Sequence, residues 1–365
     1  MPPTSTGDPA AFHRSLPCYA PTPLVDLPDV AASLGLGAVL VKDESTRLGL
    51  PAFKMLGASW ATARALAAAY GADAPASLPD LRELVCAHPP VRLVTATDGN
   101  HGRAVARMAA LLALPAQVII PRAVSPVAVD LIRGEGAQVD VLDASYDAAV
   151  QHAAHLAESD PAACLLVQDT SWPGYETVPG WIVDGYTTLF DEAARQTAER
   201  RVMVDVVLVP VGVGSLAHAA VRSAARAPGG VAPRVVSVEP EVADCVRQSL
   251  ADGQLRSIAT GTTRMAGLNC GTPSNLAWPD LRDGLAGGVA VDDDAVARAT
   301  ADLAAHGVDS GPCGAATLAA LHRLAAEPRA RADLELGESS VVMLINTEGT
   351  PRGITDLAAV PQGEC

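Results

Sequence analysis

The sequence predicts an α/β protein made of two open, twisted α/β units that face a shared crevice. Three observations carry that prediction. From Val91 onward, short β-rich apolar runs alternate with helical runs at a regular pitch, which is the signature of a parallel sheet with right-handed crossovers. A second alternating block follows a helical run at about 179–197. At 365 residues with 49% hydrophobic content, the chain is long and apolar enough for two domains sharing a cleft, or one large one.

Taken in order, the first dozen residues are rich in Pro, Ser, Thr and Gly and read as a loose leader. Pro21-Thr22-Pro23-Leu24 sets an extended entry to a strand at 38–42, and residues 55–70 carry alanine and apolar residues at helical spacing. Residues 71–90 read as an exposed connection with a short helix. The first block has strands at 92–96, 116–120, 138–142 and 164–168, separated by helices at 102–113, 126–134 and 146–158. Its strands are short apolar runs, as strands covered on both faces require. The second block has strands at 203–209 and 234–239, helices at 215–226 and 241–251, an irregular region at 252–287, helices near 293–306 and 313–326, and a last strand at 340–345. Open sheets bind ligands at the carboxyl ends of their strands, so the loops there are the ones to read for chemistry.

Charge and cysteine usage narrow the function. A net charge of −15 excludes a phosphate-neutralising stripe, so no nucleic-acid partner is expected. Cysteines at 18, 86, 164, 245, 270, 313 and 365 form no CxxC pair and no zinc spacing, so no metal is expected. The odd count without a signal peptide reads as reduced thiols of a cytoplasmic protein, with an approach of Cys245 to Cys270 left open. No apolar run reaches the roughly 18 residues of a membrane span, so no membrane partner is expected.

The chain has only two lysines, Lys42 and Lys54, against 24 arginines. Arginine stays protonated and delocalised, whereas a lysine can lose its proton and form a Schiff base. Lys42 ends an apolar run and fits chance retention as well as function. Lys54 follows a Gly/Pro-punctuated loop and opens a helical pattern. Three loops sit at predicted strand ends. Thr97-Asp98-Gly99-Asn100-His101-Gly102 fits a turn with an N-cap as well as a site. Gly212-Val213-Gly214-Ser215-Leu216 leads from strand to helix, where backbone N–H groups and the helix N-terminus favour an anion. It lacks the GK[ST] of a Walker loop and the third glycine of a dinucleotide fingerprint, so a compact phosphate monoester fits best. Asn346-Thr347-Glu348-Gly349 follows the final strand and offers polar groups to a heteroaromatic nitrogen, or forms a simple turn. A Schiff-base lysine, a phosphate cradle and polar strand ends together describe a pyridoxal 5′-phosphate site.

Read in sequence, Pro21-Thr22-Pro23-Leu24, Lys42-Asp43-Glu44-Ser45, Phe53-Lys54-Met55-Leu56-Gly57, Asp98 to Gly102 and Gly212 to Ser215 resemble the fold-type II pyridoxal-phosphate enzymes, the tryptophan synthase β and threonine dehydratase group. Within that group, Thr97-Asp98-Gly99-Asn100-His101-Gly102, Gln168-Asp169-Thr170, Met265 to Gly271 and Asn346 to Gly349 are most similar to the diaminopropionate ammonia-lyases. The resemblance implies a large cofactor-binding domain of 1–54 and 176–365, a small α/β domain of 55–175, and the cofactor in the cleft between them. It makes Lys54 the cofactor-binding and catalytic lysine, Asp98 a second acid/base and Asp169 a further acid near the substrate. Asn100 would bond the cofactor's 3′-oxygen, Gly212, Val213, Gly214, Ser215 and Leu216 would hold its phosphate, and Asn346 would stand at the pyridine nitrogen, where the family usually has serine. The implied reaction is elimination of ammonia from D- or L-2,3-diaminopropionate by a homodimer; the nearest alternative is a related β-elimination or β-replacement on another amino acid. An ionised Asp98 favours that diamino acid on physical grounds, since a carboxylate attracts a β-ammonium and gains little from a β-hydroxyl.

Overall fold

The structure is a computed structural model that describes residues 7–97, 99–122, 124–227 and 231–351. Among the described residues, ten strands form two sheets. The six-stranded sheet takes β1 (Leu24–Asp26), β2 (Ala38–Asp43), β7 (Val206–Pro210), β8 (Arg234–Pro240), β9 (Leu285–Val291) and β10 (Val341–Asn346), in the order β1-β2-β10-β7-β8-β9. The four-stranded sheet takes β3 (Arg92–Ala96), β4 (Ala116–Pro121), β5 (Gln138–Leu142) and β6 (Cys164–Leu166), in the order β5-β4-β3-β6. Every neighbouring pair is parallel except β1 with β2. The expected two parallel α/β sheets are therefore present, with an antiparallel edge strand added.

Several elements differ from expectation for visible reasons. The leader contains a helix, Pro9–Arg14, capped by the Asp8 carboxylate accepting from Ala10 N at 2.9 Å. It is pinned by His13, whose Nε2 donates to Leu56 O at 2.9 Å while Nδ1 accepts from Thr188 Oγ1 at 2.9 Å. Strand β9 begins in the stretch read as irregular and ends beyond it where no element was expected, because Gly287 and Gly288 interrupt its apolar pattern; a Cβ on Gly288 would lie 2.7 Å from Ser237 Oγ on β8. β6 ends at Leu166, two residues early, and β7 begins at Val206 rather than 203. Cys245 is a free, buried thiol, so the bond to Cys270 left open above does not form.

The helix Lys54–Ala69 joins the two sheets. Thirteen of its sixteen residues are buried, and it lies between the helices Thr177–Glu199 and Asn100–Leu111. Glycine sets its approach to the first of these: a Cβ on Gly57 would sit 2.5 Å from Tyr186 Cε1, and one on Gly185 2.5 Å from Leu56 O. The largest core cluster runs without a break from Leu40 and Ile345 in one sheet through this helix to Leu93 and Val118 in the other.

Lys42 is enclosed at the other end of this packing. Its Nζ donates to Thr22 O at 2.8 Å, Glu192 Oε2 at 2.9 Å and Gln196 Oε1 at 3.1 Å. Glu192 and Glu44 also take Arg47, at 2.7 and 2.6 Å, so two buried cations face two buried anions. All three N–H groups of Lys42 are thus used within the protein, and its role is structural.

Candidate active site

Both sheets have a switch point. In the larger sheet, β7, β8 and β9 advance in one direction and β10 returns to the other flank of β7; in the smaller, β3, β4 and β5 advance and β6 returns beside β3. The loops leaving β7 and β10 on one sheet and β3 and β6 on the other are therefore the ones a ligand meets. Among the described residues, these loops and the strand ends they leave contain the expected site residues Asn100, Asp169, Gly212 to Leu216 and Asn346. The exception is Lys54, which opens the linking helix.

Lys54 Nζ donates to Asp169 Oδ2 at 2.6 Å, beyond the end of β6, and both side chains are largely enclosed. Burial by itself pushes the Asp169 carboxyl up, yet the charges facing it and the Lys54 hydrogen bond outweigh that and hold it at about 2. His101 is the other neighbour, with Nδ1 3.9 Å from Asp169 Oδ2. Its own pKa is driven below the usual histidine range by burial, and its Nε2 donates to Val167 O at 2.8 Å. A neutral ring with its proton on Nε2 supplies no positive charge, so the Lys54 ammonium is the cause we assign. Asp169 is further fixed by Gln168 Nε2, which donates to Oδ1 at 3.2 Å, and by Ser215 Oγ, which donates to its carbonyl at 3.2 Å. Ser215 thereby ties the acid to the glycine loop.

That loop has the shape of an anion cradle. Gly214 has φ +103° and precedes the helix Ser215–Ala224, whose first-turn N–H groups have no intrahelical partner. A Cβ on Gly214 would meet Leu281 Cδ1 at 2.6 Å, and one on Gly212 would meet Gly267 O at 2.9 Å. The backbone is thus bare towards any anion and packed behind. Val213 O accepts from Ser274 N at 2.8 Å, which anchors the loop's centre.

Asn346 ends β10 and is 1% exposed. Its Nδ2 donates to Asp43 Oδ1 at 2.8 Å and Asp309 O at 2.9 Å, and its Oδ1 accepts from Ser310 Oγ at 2.8 Å. Both N–H groups are committed to the protein, which leaves only a second lone pair of Oδ1 for a ligand. Asn100 begins the helix Asn100–Leu111 after β3, and its Nδ2 donates to Glu348 Oε2 at 2.7 Å. Asp98 lies outside the described residues.

Sequence reading assigned no role to His101, Glu348 or Tyr186. The first two sit within motifs already quoted, and only their contacts distinguish them from turn residues. Tyr186 lies on the helix Thr177–Glu199 with its ring 4.7 Å from that of Phe53, and burial pushes its hydroxyl up against the opposing pull of the Lys54 ammonium beside it. No sequence signal separates it from an ordinary core tyrosine. An amine beside a buried carboxylate, a bare glycine cradle and unused polar atoms fit pyridoxal phosphate.

Comparison with known proteins agrees. Residues 16–348 match the pyridoxal-phosphate dependent enzyme family. The diaminopropionate ammonia-lyase of Salmonella typhimurium is 38% identical over 361 residues, covering 93% of this chain and 87% of that protein. The enzyme of the same name from Escherichia coli K12 is 36% identical over 348 residues, covering 93% and 86%. The crystal structure of the Escherichia coli enzyme in complex with D-serine superposes with a TM-score of 0.87 at 34% identity, covering 94% of this chain and 88% of that one. The chain therefore belongs to the fold-type II pyridoxal-phosphate dependent enzymes, and within them to the diaminopropionate ammonia-lyase family.

Proposed function

We propose that the protein eliminates ammonia from 2,3-diaminopropionate, giving pyruvate and a second ammonia after water is taken up. The observation that carries the reading is the Lys54 to Asp169 pair at 2.6 Å beside the Gly212 to Leu216 cradle. Pyridoxal phosphate, when bound, withdraws electrons from the α-carbon of the amino acid joined to it. The chain's own residues do the rest. Lys54 holds the cofactor and, once displaced by substrate, is a neutral amine able to take the α-proton of one enantiomer. Asp98 takes it from the other. Asp169, kept ionised, holds Lys54 in place and draws the substrate's β-ammonium towards the site. As the α-proton leaves, the bond from β-carbon to nitrogen breaks with its electrons on nitrogen, and the protonated amine departs as neutral ammonia. Gly212, Val213, Gly214, Ser215 and Leu216 would hold the phosphate, Asn100 the 3′-oxygen, and Asn346 would meet the ring nitrogen with an acceptor lone pair. Residues 1–54 with 176–365, and 55–175, form the two domains of this reading, and a cytoplasmic homodimer is its expected setting.

The test is pyruvate formation from D- and L-2,3-diaminopropionate, run beside serine and threonine, with protein reconstituted with pyridoxal phosphate. Turnover of the diamino acids with little on the hydroxy acids supports the reading. Bound cofactor without pyruvate from any of the four removes the substrate assignment and leaves the cofactor. Asp98→Asn should impair one enantiomer selectively; equal loss on both refutes its role as second base.

A further inference from the structure

Glu348 follows β10 and is half-buried where the two sheets meet. One carboxylate oxygen, Oε2, accepts from Asn100 Nδ2 at 2.7 Å, on the side of the four-stranded sheet. The other, Oε1, accepts from Cys313 N at 3.1 Å, at the start of the helix Pro312–Ala326. The backbone around Glu348 is tied to the segment that delivers Lys54. Phe53 N donates to Thr347 O at 3.1 Å, Gly349 N donates to Pro51 O at 2.9 Å, and Ala52 bridges to Glu348. The position of this carboxylate is therefore set by three separate segments.

A carboxylate only accepts, so it dictates which end of the Asn100 amide faces it. That end is the NH2 group, which has two hydrogens, and Glu348 uses one. We propose that Glu348 is a positioning residue for the cofactor: its carboxylate fixes the Asn100 amide so that the second N–H is presented to the cofactor's 3′-oxygen. This rests on the reading of Asn100 given above. Without Glu348 the amide turns freely, and half of its orientations offer a carbonyl oxygen to an oxygen that carries negative charge.

The test uses the full-length chain and two readouts that need no amino-acid substrate: the cofactor dissociation constant and the position of the bound cofactor's visible absorbance band. Glu348→Gln introduces a donor as well as an acceptor and releases the amide. It should weaken cofactor binding roughly tenfold, the loss of one charge-assisted contact, and displace the band. In an Asn100→Ala background, Glu348→Gln should add nothing further. The exchanged pair, Asn100→Asp with Glu348→Gln, restores the contact with its polarity reversed and keeps the fold testable. It should melt as the wild type does but bind cofactor weakly. Wild-type affinity and band in Glu348→Gln, an undiminished effect in the Asn100→Ala background, or wild-type cofactor binding by the exchanged pair each overturn the proposal. If Asn100→Ala alone changes neither readout, the reading of Asn100 falls and the proposal with it; if Asn100→Ala disturbs both and Glu348→Gln neither, the proposal alone falls.

Discussion

Replacing Asp169 by asparagine removes the charge that faces Lys54 while keeping the volume. The carboxyl ionises at about 2 in the folded chain against 3.8 when free. At 1.36 kcal/mol per unit, that difference is worth at most about 2 kcal/mol of stability, since the neutral His101 ring supplies none of it. The folded value is the lower one, so the contribution is complete above about pH 4 and is lost as the pH falls through about 2. An amide also cannot satisfy both neighbours. Lys54 Nζ and Gln168 Nε2 each donate to one carboxylate oxygen, and an asparagine must turn its own NH2 towards one of them. That conflict adds about 1 kcal/mol or more. Urea denaturation of wild type and Asp169→Asn, at matched pH values from 2 to 8, gives the difference directly. The variant should be weaker by about 2–4 kcal/mol at neutral pH, with the gap closing below about pH 4. Because Glu192 is held at about 2 as well, only the difference between the two proteins isolates Asp169. Equal stability at pH 7, or a gap independent of pH, would show that the pair is not coupled as described.

Lys54→Ala should abolish both the visible absorbance of reconstituted protein and turnover; retained absorbance would remove Lys54 from the reaction. Lys42→Met strips three hydrogen bonds from a buried cluster and leaves two anions facing one cation, so it should cost about 3 kcal/mol by denaturant titration without altering the absorbance of bound cofactor. Gly214→Ala places a side chain at φ +103° and against Leu281, which should lower the melting temperature and weaken cofactor binding by tenfold or more. Burial holds His13 at about 3, so the unfolded chain binds this proton first and stability should fall as the pH drops from about 6.5 towards 3; a His13→Gln variant should lack that component.

The parallel core strands were legible because burial on both faces leaves near-continuous apolar runs, as at Ala116–Pro121 and Val341–Asn346. β9 was not, since Gly287 and Gly288 answer to the packing of Ser237 and Arg247, which no local pattern announces. The tight turn at Gly212 and Gly214 could be read because the need for a bare backbone acts on residue type directly. Lys54 stood out through the scarcity of lysine. Its partnership with Asp169 crosses 115 residues and arises only when two strand ends converge, so the resemblance suggested the acid but no spacing did. Asn346 shows the opposite limit: no local pattern announces that Asp43 and Asp309 take both of its N–H groups and leave it an acceptor. The Glu348 contact with Asn100 lies 248 residues apart and was equally invisible.

Having two lysines, one of them enclosed, simplifies the amine chemistry of this chain of 365 residues. Lys42 is wholly shielded and its amine hydrogens are all engaged, so the one lysine side chain that an acylating reagent can reach is Lys54, 22% exposed, besides the chain's terminal amine. A cofactor joined to Lys54 blocks even that. Intact-mass analysis after acylation then separates empty from loaded molecules by one mass increment, beyond the one that the terminal amine gives to both.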